Sequence, residues 1–237
     1  MSLKYFLSLL ILYLLTIDSS SRSFRNGHSF TWQTFALQDT LPDNQSLYNG
    51  RVWRNIYPDV RGDQFLFIKT FLPGSVTMRG KTFNNIKLRY DILDDELLTL
   101  GNRGGVLQLN KEMVDSFDIL FKDGLYKFVK LSGDSLTEPA GYCNLLYNGD
   151  HALYVKYRKK IGKLAEEGKY DSFYQVTRIF VFEKGTFHPV SSKKDLLELS
   201  GNMKDETRAF IRKNNLVISR ESPASFIPVL RYLDTMK

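Results

Sequence analysis

The segment from Gly80 to Gly105, "GKTFNNIKLRYDILDDELLTLGNRGG", decides the fold class of this chain. Within it, apolar side chains alternate with charged ones at Ile86, Leu88, Tyr90 and Ile92. Successive side chains of a strand point to opposite faces, so this period predicts a half-buried strand with Asp91 on the solvent face. Asp94 and Asp95 then precede the apolar run Glu96–Leu100, and short carboxylates favour turns. We therefore predict a β-hairpin with a two-residue loop at Asp94 and Asp95.

The acidic residues of this hairpin do not match a metal or catalytic pattern. A calcium loop of the EF-hand kind has acidic residues at alternate positions, a glycine at the sixth and a glutamate at the twelfth. Here Asp94, Asp95 and Glu96 are contiguous, and no glycine interrupts them. A catalytic carboxylate pair converges across a pocket, whereas neighbours on a hairpin tip diverge. We expect neither kind of site at this turn.

The same pattern of short apolar runs, separated by residues that favour turns, continues from Arg51 to Val190, with a turn at intervals near ten residues. This spacing is typical of an antiparallel meander. The predicted strands are Gln64–Phe71, Ser75–Arg79, Asn85–Leu93, Glu96–Leu100, Val106–Leu109, Ser116–Phe121, Leu125–Leu131, Tyr142–Tyr147 and His151–Tyr157. A further hairpin is predicted in "SFYQVTRIFVFEKGTFHPV", with its turn at Lys184-Gly185.

The last fifty residues change to a helical period. Ser192 is a predicted N-cap for a helix over "KKDLLELS", and "KDETRAFIRKNN" has acidic residues early and basic residues late, as a helix dipole favours. Ser222 and Pro223 predict the start of a third helix, which Pro228 would delay or kink. The chain is therefore predicted to have an α+β fold: an antiparallel β-meander, forming a curved sheet or half-barrel, followed by a C-terminal helical segment. We assign residues 51–237 to a single domain, with the meander over 51–190 and the helices over 191–237.

The N-terminus has the pattern of an exported protein. Lys4 precedes an apolar run from Tyr5 to Ile17, which is too short to span a bilayer and is followed by small polar residues. We therefore expect a signal peptide over residues 1–21, a secreted or periplasmic location and no transmembrane segment after cleavage; an uncleaved membrane anchor is the alternative. Residues 22–50 are polar and turn-rich, which predicts an extended N-terminal arm.

Cys143 is the only cysteine, so no intramolecular disulfide can form, and we expect it to be a small buried residue.

Several motifs, taken in order, resemble a family of secreted Bacteroidota proteins that has no assigned activity. They are "LRYDILDDEL", "VDSFDI", "FKDGLYKFVKL", "GYCNLLYNG", "YVKYRKKI", "KKDLLEL", "ETRAFIRKNNL" and "VLRYLDTMK", and they cover Gly50 to the C-terminus. The resemblance implies an exported, envelope-associated protein with strands followed by helices. It assigns no catalytic or binding residue. The chain departs from the family at "SRESPASFIP", where a more charged segment is expected, so the start of the last helix is left open.

The basic segment "KYRKKIGK" is the candidate binding feature of the sequence. The net charge of +7 lies entirely in residues 151–237, and this segment mixes cations with the nearby aromatic residues Tyr154 and Tyr157. Such a composition suits the anionic groups of lipids, glycans or nucleic acids, although export argues against nucleic acid. The candidate anion-contacting residues are Lys156, Arg158, Lys159, Lys160 and Lys163. The alternative is a solvated hairpin end whose charge discourages edge pairing.

No catalytic motif is recognisable, so we predict no catalytic residue, cofactor or metal ligand. His28, His151 and His188 stand in unrelated contexts, without zinc-binding spacing, and there is no nucleophile elbow. We expect an exported cell-envelope protein that acts as a non-enzymatic binding or interaction module, with an envelope protein or an anionic lipid or glycan as partner. The alternatives are a carrier or sensor of a hydrophobic or anionic envelope ligand, such as lipid or lipopolysaccharide, and a hydrolase with dispersed catalytic residues. A filled core would favour the binding module, and a buried apolar cavity would favour the carrier. A cleft that joins His151 or His188 to a carboxylate and a hydroxyl would favour the hydrolase.

Overall fold

The structure, a computed structural model, describes residues 47–102, 104–133, 138–162 and 171–236. All of them belong to one unit that spans Asp43–Lys237. The predicted signal peptide over residues 1–21, and the predicted arm up to residue 46, lie outside the described residues. No helix of the described ranges is long and apolar enough to cross a membrane.

Eleven strands of the described chain form one open antiparallel sheet, followed by helices, so the predicted α+β meander is confirmed. The sheet order is β1-β5-β4-β3-β2-β6-β7-β8-β9-β10-β11, in which consecutive strands are neighbours except where the chain passes from β1 to β2 and from β5 to β6. The strands are β1 Arg51–Val52, β2 Leu72–Met78, β3 Lys81–Asp91, β4 Glu96–Leu100, β5 Val106–Gln108, β6 Val114–Phe121, β7 Gly124–Ser132, β8 Ala140–Tyr147, β9 Ala152–Gly162, β10 Ser172–Glu183 and β11 Thr186–Val190.

The turn between β10 and β11 lies where the sequence predicts it. Glu183 pairs with Thr186, which leaves Lys184 and Gly185 as a two-residue loop. Both loop residues have positive φ, 49° for Lys184 and 83° for Gly185. Two consecutive positive φ values are the signature of the turn type whose twist matches that of the flanking strands.

Two predictions from the opening hairpin are wrong. Asp91 is buried and does not face solvent, because its carboxylate accepts hydrogen bonds from Gln64 Nε2 at 2.9 Å and from the Leu93 N–H at 3.0 Å. The loop between β3 and β4 has four residues, 92–95, where we predicted two. Ile92 is also buried, so the alternation of faces ends at Tyr90 and the chain turns inward at Asp91.

The predicted strand Gln64–Phe71 is absent from the sheet. Gln64, Phe65 and Leu66 are all buried, whereas alternate residues would be buried in a half-exposed strand. The segment crosses the end of β3, where the Leu66 N–H donates to the Tyr90 carbonyl at 2.9 Å. Phe67 then has a φ of 68°, which directs the chain away from an extended path.

The sheet is strongly curved. The backbone N–H of Lys159, on β9, donates a hydrogen bond of 2.9 Å to the carbonyl of Ile92, just after β3. Four strands, β2, β6, β7 and β8, separate β3 from β9 in the sheet order. Contact between the ends of β3 and β9 therefore requires the sheet to curl toward itself, although it does not close into a barrel.

Two groups of buried side chains fill the interior. The first has an aromatic centre in which the Tyr90 ring meets Phe117 and Phe128 with centroids 5.2 Å apart and Tyr142 at 6.0 Å, all near edge to face. This geometry is favoured by the ring quadrupoles. The second group joins Leu153, Val155, Ile179 and Val181 of β9 and β10 to the helices. Tyr157 packs against both groups and links them.

The helices cover one face of β9 and β10. They are α1 Lys193–Leu199, α2 Lys204–Lys213 and α3 Ile227–Thr235, with short 3₁₀ helices at Gly201–Met203 and Pro223–Phe226. Ser192 caps α1 as predicted, in a reciprocal capping box with Asp195. Pro228 lies in the first turn of α3, where a missing N–H removes no helical bond, so the α-helix starts at Ile227, after the 3₁₀ turn that Pro223 opens.

Candidate anion-binding site

The cations of β9 lie on the face of the sheet opposite the helices. Side chains alternate along a strand, so Leu153 and Val155, which pack against the helices, lie on one face and Lys156, Arg158 and Lys160 lie on the other. Arg158 and Lys160 are exposed, whereas Lys156 is buried, with 4% of its surface accessible. The strand thus presents a short row of cations on a single face.

Strand β10 adds a fourth cation to this row. Arg178 pairs with Lys156, and Val176 with Arg158, in the antiparallel register of β9 and β10. Directly opposite residues point to the same face with Cβ atoms about 5 Å apart. Arg178 therefore lies beside Lys156 and near Arg158, and all of these cations belong to one surface.

These side chains surround a small cavity. Its volume is about 100 Å³, and we call it the basic cavity. Its lining residues are Glu138, Pro139, Ala140, Lys156, Arg158, Lys160, Val176, Arg178 and Phe180. This volume is below the roughly 300–1,000 Å³ that is typical of pockets for whole small molecules, so the cavity suits a single small anionic group.

Val176 and Phe180 of β10 form part of the apolar lining, and Pro139 and Ala140, at the start of β8, form the rest. Phe180 is buried, and the Arg178 guanidinium lies 5.2 Å from the centroid of its ring, a cation–π contact. An apolar wall lowers the local dielectric, which strengthens the attraction between a cation and a bound anion. The basic cavity therefore combines positive charge with partial exclusion of water.

The ammonium of Lys156 is held by the half-buried carboxylate of Asp95. Its Nζ donates to Asp95 Oδ1 at 2.6 Å and to the Tyr142 carbonyl at 2.9 Å. Asp95 also accepts from the Tyr90 hydroxyl at 2.5 Å and from Lys111 Nζ at 2.9 Å. A turn residue of the β3–β4 hairpin is thus the counterion of two lysines, one of which lines the basic cavity.

This network shifts the pKa values of its members. Burial lowers the pKa of Lys156, and the charge of Asp95 opposes that shift. Burial alone would raise the pKa of Asp95, but attraction and hydrogen bonding from Lys156, with hydrogen bonds from Tyr90 and Lys111, outweigh it and hold the pKa below its usual range. The pair is therefore an ion pair at neutral pH.

A glycine on β8 makes room for this ion pair. Gly141 has a φ of +76°, and a Cβ built on it would lie 1.9 Å from Asp95 Oδ2 and 3.1 Å from Lys156 Nζ. Any larger residue would have to displace the carboxylate. The approach of the β3–β4 turn to β8 and β9 thus depends on Gly141.

The structure separates the predicted anion-contacting residues into three groups. Lys156, Arg158 and Lys160 line the basic cavity. Lys159 points to the other face, where its Nζ donates to Asp63 Oδ1 at 2.9 Å and to the Phe65 carbonyl at 2.7 Å. Lys163 lies outside the described residues.

Sequence reasoning missed Arg178, Phe180 and Asp95. The alternation of β9 was a signal that could have separated Lys159 from its neighbours. Arg178 joins the site only through the register of β9 with β10, which no short motif gives.

His151 does not have the surroundings of a hydrolytic base. His151 is buried, with Nδ1 2.5 Å from Asp234 Oδ1 and Nε2 3.5 Å from Glu183 Oε2. Both ring nitrogens face carboxylates, so neither is placed to accept a proton from a hydroxyl nucleophile. The Tyr147 hydroxyl donates to Asp234 Oδ2 at 2.7 Å, on the far side of the carboxylate from the ring. This cluster fastens α3 to the β8–β9 hairpin.

His188 and Cys143 do not form a catalytic arrangement either. His188 lines a separate cavity of about 370 Å³ with Asp195, but the Asp195 carboxylate is engaged in capping α1. Cys143 is buried, and burial raises its pKa to about 11, so it is a thiol at neutral pH. Within the described ranges, no group of three or more His, Cys, Asp or Glu side chains could hold a metal ion.

The chain has been compared with protein-family models, curated proteins and solved structures. None of them matches. The resemblance to secreted Bacteroidota proteins therefore stays a prediction, and function has to be argued from the geometry of the basic cavity.

Proposed function

We propose that this chain is an exported, non-enzymatic binding module that recognises an anionic group at the basic cavity. The observation that carries the proposal is the convergence of Lys156, Arg158, Lys160 and Arg178 on one small cavity on one face of β9 and β10. Among the described residues that line the cavity, Glu138 is the one carboxylate. A cavity with this charge attracts anions and repels cations.

The arginine and lysine side chains of the cavity are of the types that bind an oxyanion. Arginine presents a planar fork of N–H donors that matches the oxygens of a carboxylate or phosphate, and lysine adds a mobile point charge. Arg158 and Arg178 lie on neighbouring strands, and both line the cavity. Lys156 is already oriented by Asp95, so its ordering costs no further entropy when an anion binds.

The filled interior supports a module that binds at its surface over a carrier that encloses a lipid. Between the sheet and the helices, Leu196, Val229, Leu230 and Phe226 are each fully buried. A cavity of about 370 Å³ does lie at the edge between β11 and α1, but Glu183, His188 and Glu198 are among the residues that line it, and such polar walls do not suit an acyl chain. The orientation of His151 toward two carboxylates likewise gives no support to the hydrolase alternative.

The partner that we propose is an anionic glycan, an anionic lipid or a protein of the cell envelope. Export, which the N-terminal pattern predicts, would bring the basic cavity into contact with these molecules and away from nucleic acid. A lipid would have to bind through its headgroup, because the cavity is too small for its chains.

Titration calorimetry with inorganic phosphate and sulfate tests the proposal. Replacing Arg158 with Glu in the full chain should weaken anion binding about tenfold or more, the equivalent of one charge-assisted hydrogen bond. Lys87→Glu is the matched control, since Lys87 is an exposed cation in the middle of β3, away from the cavity. Binding should also weaken as salt is added. Equal affinities for the two variants and the parent chain would refute the proposal.

A further inference from the structure

We propose that a second cavity, at one end of β1, β5 and β4, binds a neutral sugar through its hydroxyl groups. Its volume is about 470 Å³, and we call it the polar cavity. The described residues that line it are Asn49, Gly50, Arg51, Glu96, Gln108, Leu109, Asn110, Lys111 and Glu112. None of these residues lines the basic cavity, so the inference does not rest on the proposed function.

The strand register brings one wall of the polar cavity together. Arg51 of β1 pairs with Gln108 of β5, and Gln108 pairs with Leu98 of β4. Directly opposite residues share a face of the sheet, and so do residues two apart on one strand. Glu96 therefore lies on the same face as Arg51 and Gln108. Residues 109–112, which lead from β5 toward β6, complete the lining.

The side chains of this wall hold one another in place. Arg51 Nε donates to Gln108 Oε1 at 2.8 Å. Burial raises the pKa of Glu96, while hydrogen bonding from the Gln108 side chain and the charges of Lys111 and Arg51 oppose that shift. The Lys111 ammonium in turn lies 2.9 Å from Asp95 Oδ2. Side chains that are already ordered lose little conformational entropy when a ligand binds.

The polarity of the lining excludes an apolar ligand. Seven of the nine described lining residues have polar side chains, and none of the nine is aromatic. An apolar ligand would cover these polar groups without giving them hydrogen-bond partners, which is costly. The occupant must therefore be able to form hydrogen bonds over most of its surface.

The charges of the lining favour an uncharged ligand. Arg51 and Lys111 are cations, whereas Glu96 and Glu112 are carboxylates, and Asp95 is bound to Lys111. An anion or a cation would consequently meet like charges as well as opposite ones. A hydroxyl group both donates and accepts hydrogen bonds, so it can pair with cations, carboxylates and amides in the same cavity. A sugar presents several such groups on one rigid ring.

The volume of the polar cavity suits a whole sugar. About 470 Å³ lies within the roughly 300–1,000 Å³ that is typical of pockets for small molecules. The basic cavity, at about 100 Å³, lies below this range. The two cavities therefore differ in both the size and the charge of the ligand that they suit.

Saturation-transfer NMR titrations of the full chain test the inference. The sugars are glucose, N-acetylglucosamine and maltose, and the comparison ligands are citrate, putrescine and glutamine, which are anionic, cationic and zwitterionic. We expect at least one sugar to bind more tightly than all three comparison ligands. Arg51→Ala should weaken its binding about tenfold, the equivalent of one charge-assisted hydrogen bond. Arg54→Ala is the matched control, since Arg54 is an exposed arginine of the same segment that does not line the cavity.

Two further variants locate the sugar within the molecule. Glu112→Ala removes an exposed lining side chain without touching the Arg51–Gln108 hydrogen bond, and it should also weaken sugar binding. Arg158→Glu changes the basic cavity and should leave sugar binding as it is in the parent chain. Circular dichroism spectra of all variants show whether each is folded.

Sugar binding that is weakened in Arg51→Ala and Glu112→Ala, and retained in Arg54→Ala and Arg158→Glu, supports the inference. The absence of binding to all three sugars by the folded parent chain overturns it. Tighter binding of citrate, putrescine or glutamine, no effect of Arg51→Ala and Glu112→Ala, or loss of sugar binding in Arg158→Glu overturns it too. The affinity for phosphate and sulfate is measured separately, so the inference and the proposed function can fail independently.

Discussion

Lys156 and Asp95 are 61 positions apart in the chain, yet the Lys156 ammonium lies 2.6 Å from Asp95 Oδ1. Asp95 belongs to the β3–β4 turn and Lys156 to β9, so this ion pair connects two distant parts of one curved sheet. It also connects the buried interior to the basic cavity, which Lys156 lines.

Replacement of Asp95 by Asn should destabilise the fold by about 3–5 kcal/mol, because it leaves the buried Lys156 ammonium without its counterion. Urea unfolding, monitored by circular dichroism, measures the loss of stability. Asp94→Asn is the control, since Asp94 is the exposed neighbour in the same turn. Similar midpoints for the two variants would show that the ion pair contributes little.

Gly141→Ala should destabilise the chain more than Gly185→Ala. Both glycines have positive φ, +76° and +83°, so the conformational cost of a Cβ is similar at the two positions. At Gly185 no atom lies within 4 Å of the added Cβ, whereas at Gly141 the Cβ would displace the Asp95 carboxylate. We expect an excess loss of about 1–3 kcal/mol at Gly141, from disturbance of charged hydrogen bonds. Thermal unfolding of both variants tests this, and equal losses would contradict it.

Lys159→Met and Lys160→Met should have opposite phenotypes. Lys159 binds Asp63 and the Phe65 carbonyl, so its loss should cost about 1–3 kcal/mol of stability and leave phosphate affinity unchanged. Lys160 is exposed and lines the basic cavity, so its loss should weaken phosphate binding with little effect on stability. Unfolding measurements on the two variants give the effect on stability, and calorimetry on the same variants gives the effect on phosphate affinity. If Lys159→Met weakened phosphate binding and Lys160→Met destabilised the fold, the assignment of these two side chains to opposite faces of β9 would be wrong.

Asp234 should stabilise the fold in a pH-dependent way. Burial would raise its pKa, but hydrogen bonds from His151 and Tyr147 outweigh burial and hold the pKa below its ordinary value of 3.8. A depressed carboxyl pKa contributes stability that is fully present above the unfolded pKa, near 4, and is lost as the pH falls through the folded value.

The measurement is thermal unfolding of Asp234→Asn and the parent chain at several pH values. We expect the variant to be less stable by about 1–3 kcal/mol at pH 7, with the gap narrowing as the pH falls below about 4. Asp123→Asn, at an exposed turn residue, should match the parent chain throughout. A gap that persists unchanged at pH 3 would show that the contribution does not come from the ionised carboxylate.

The sequence predicts those parts of the fold that depend on local pattern. The hairpin at Lys184-Gly185 and the Ser192 cap follow from residues close in the chain, and both are as predicted. The burial of Asp91 and the role of Asp95 could not be predicted in this way. Both depend on the curvature of the sheet, which brings the β3–β4 turn against β8 and β9, and curvature accumulates over many strands.

In the candidate site, too, the local sequence pattern indicates some features and contacts between distant residues determine the others. Alternation along β9 would have been sufficient to place Lys156, Arg158 and Lys160 on one face and Lys159 on the other, although we predicted all of them as anion-contacting residues. The addition of Arg178 required the pairing register, and the strand predicted at Gln64–Phe71 was wrong because the segment is bound across the end of β3. Contacts between residues distant in sequence therefore determine what the local pattern leaves open.

The hydrogen bond from the Lys159 backbone to Ile92 has a consequence for the folding kinetics of the protein. Contacts between residues far apart in sequence require the closure of long loops, and proteins rich in them fold slowly. The hairpins and helices can form early, while the β3–β4 turn can dock on β9 only after the intervening strands have assembled. Lys156 and Asp95 should accordingly meet late in folding, so acquisition of anion binding would report the last step of assembly.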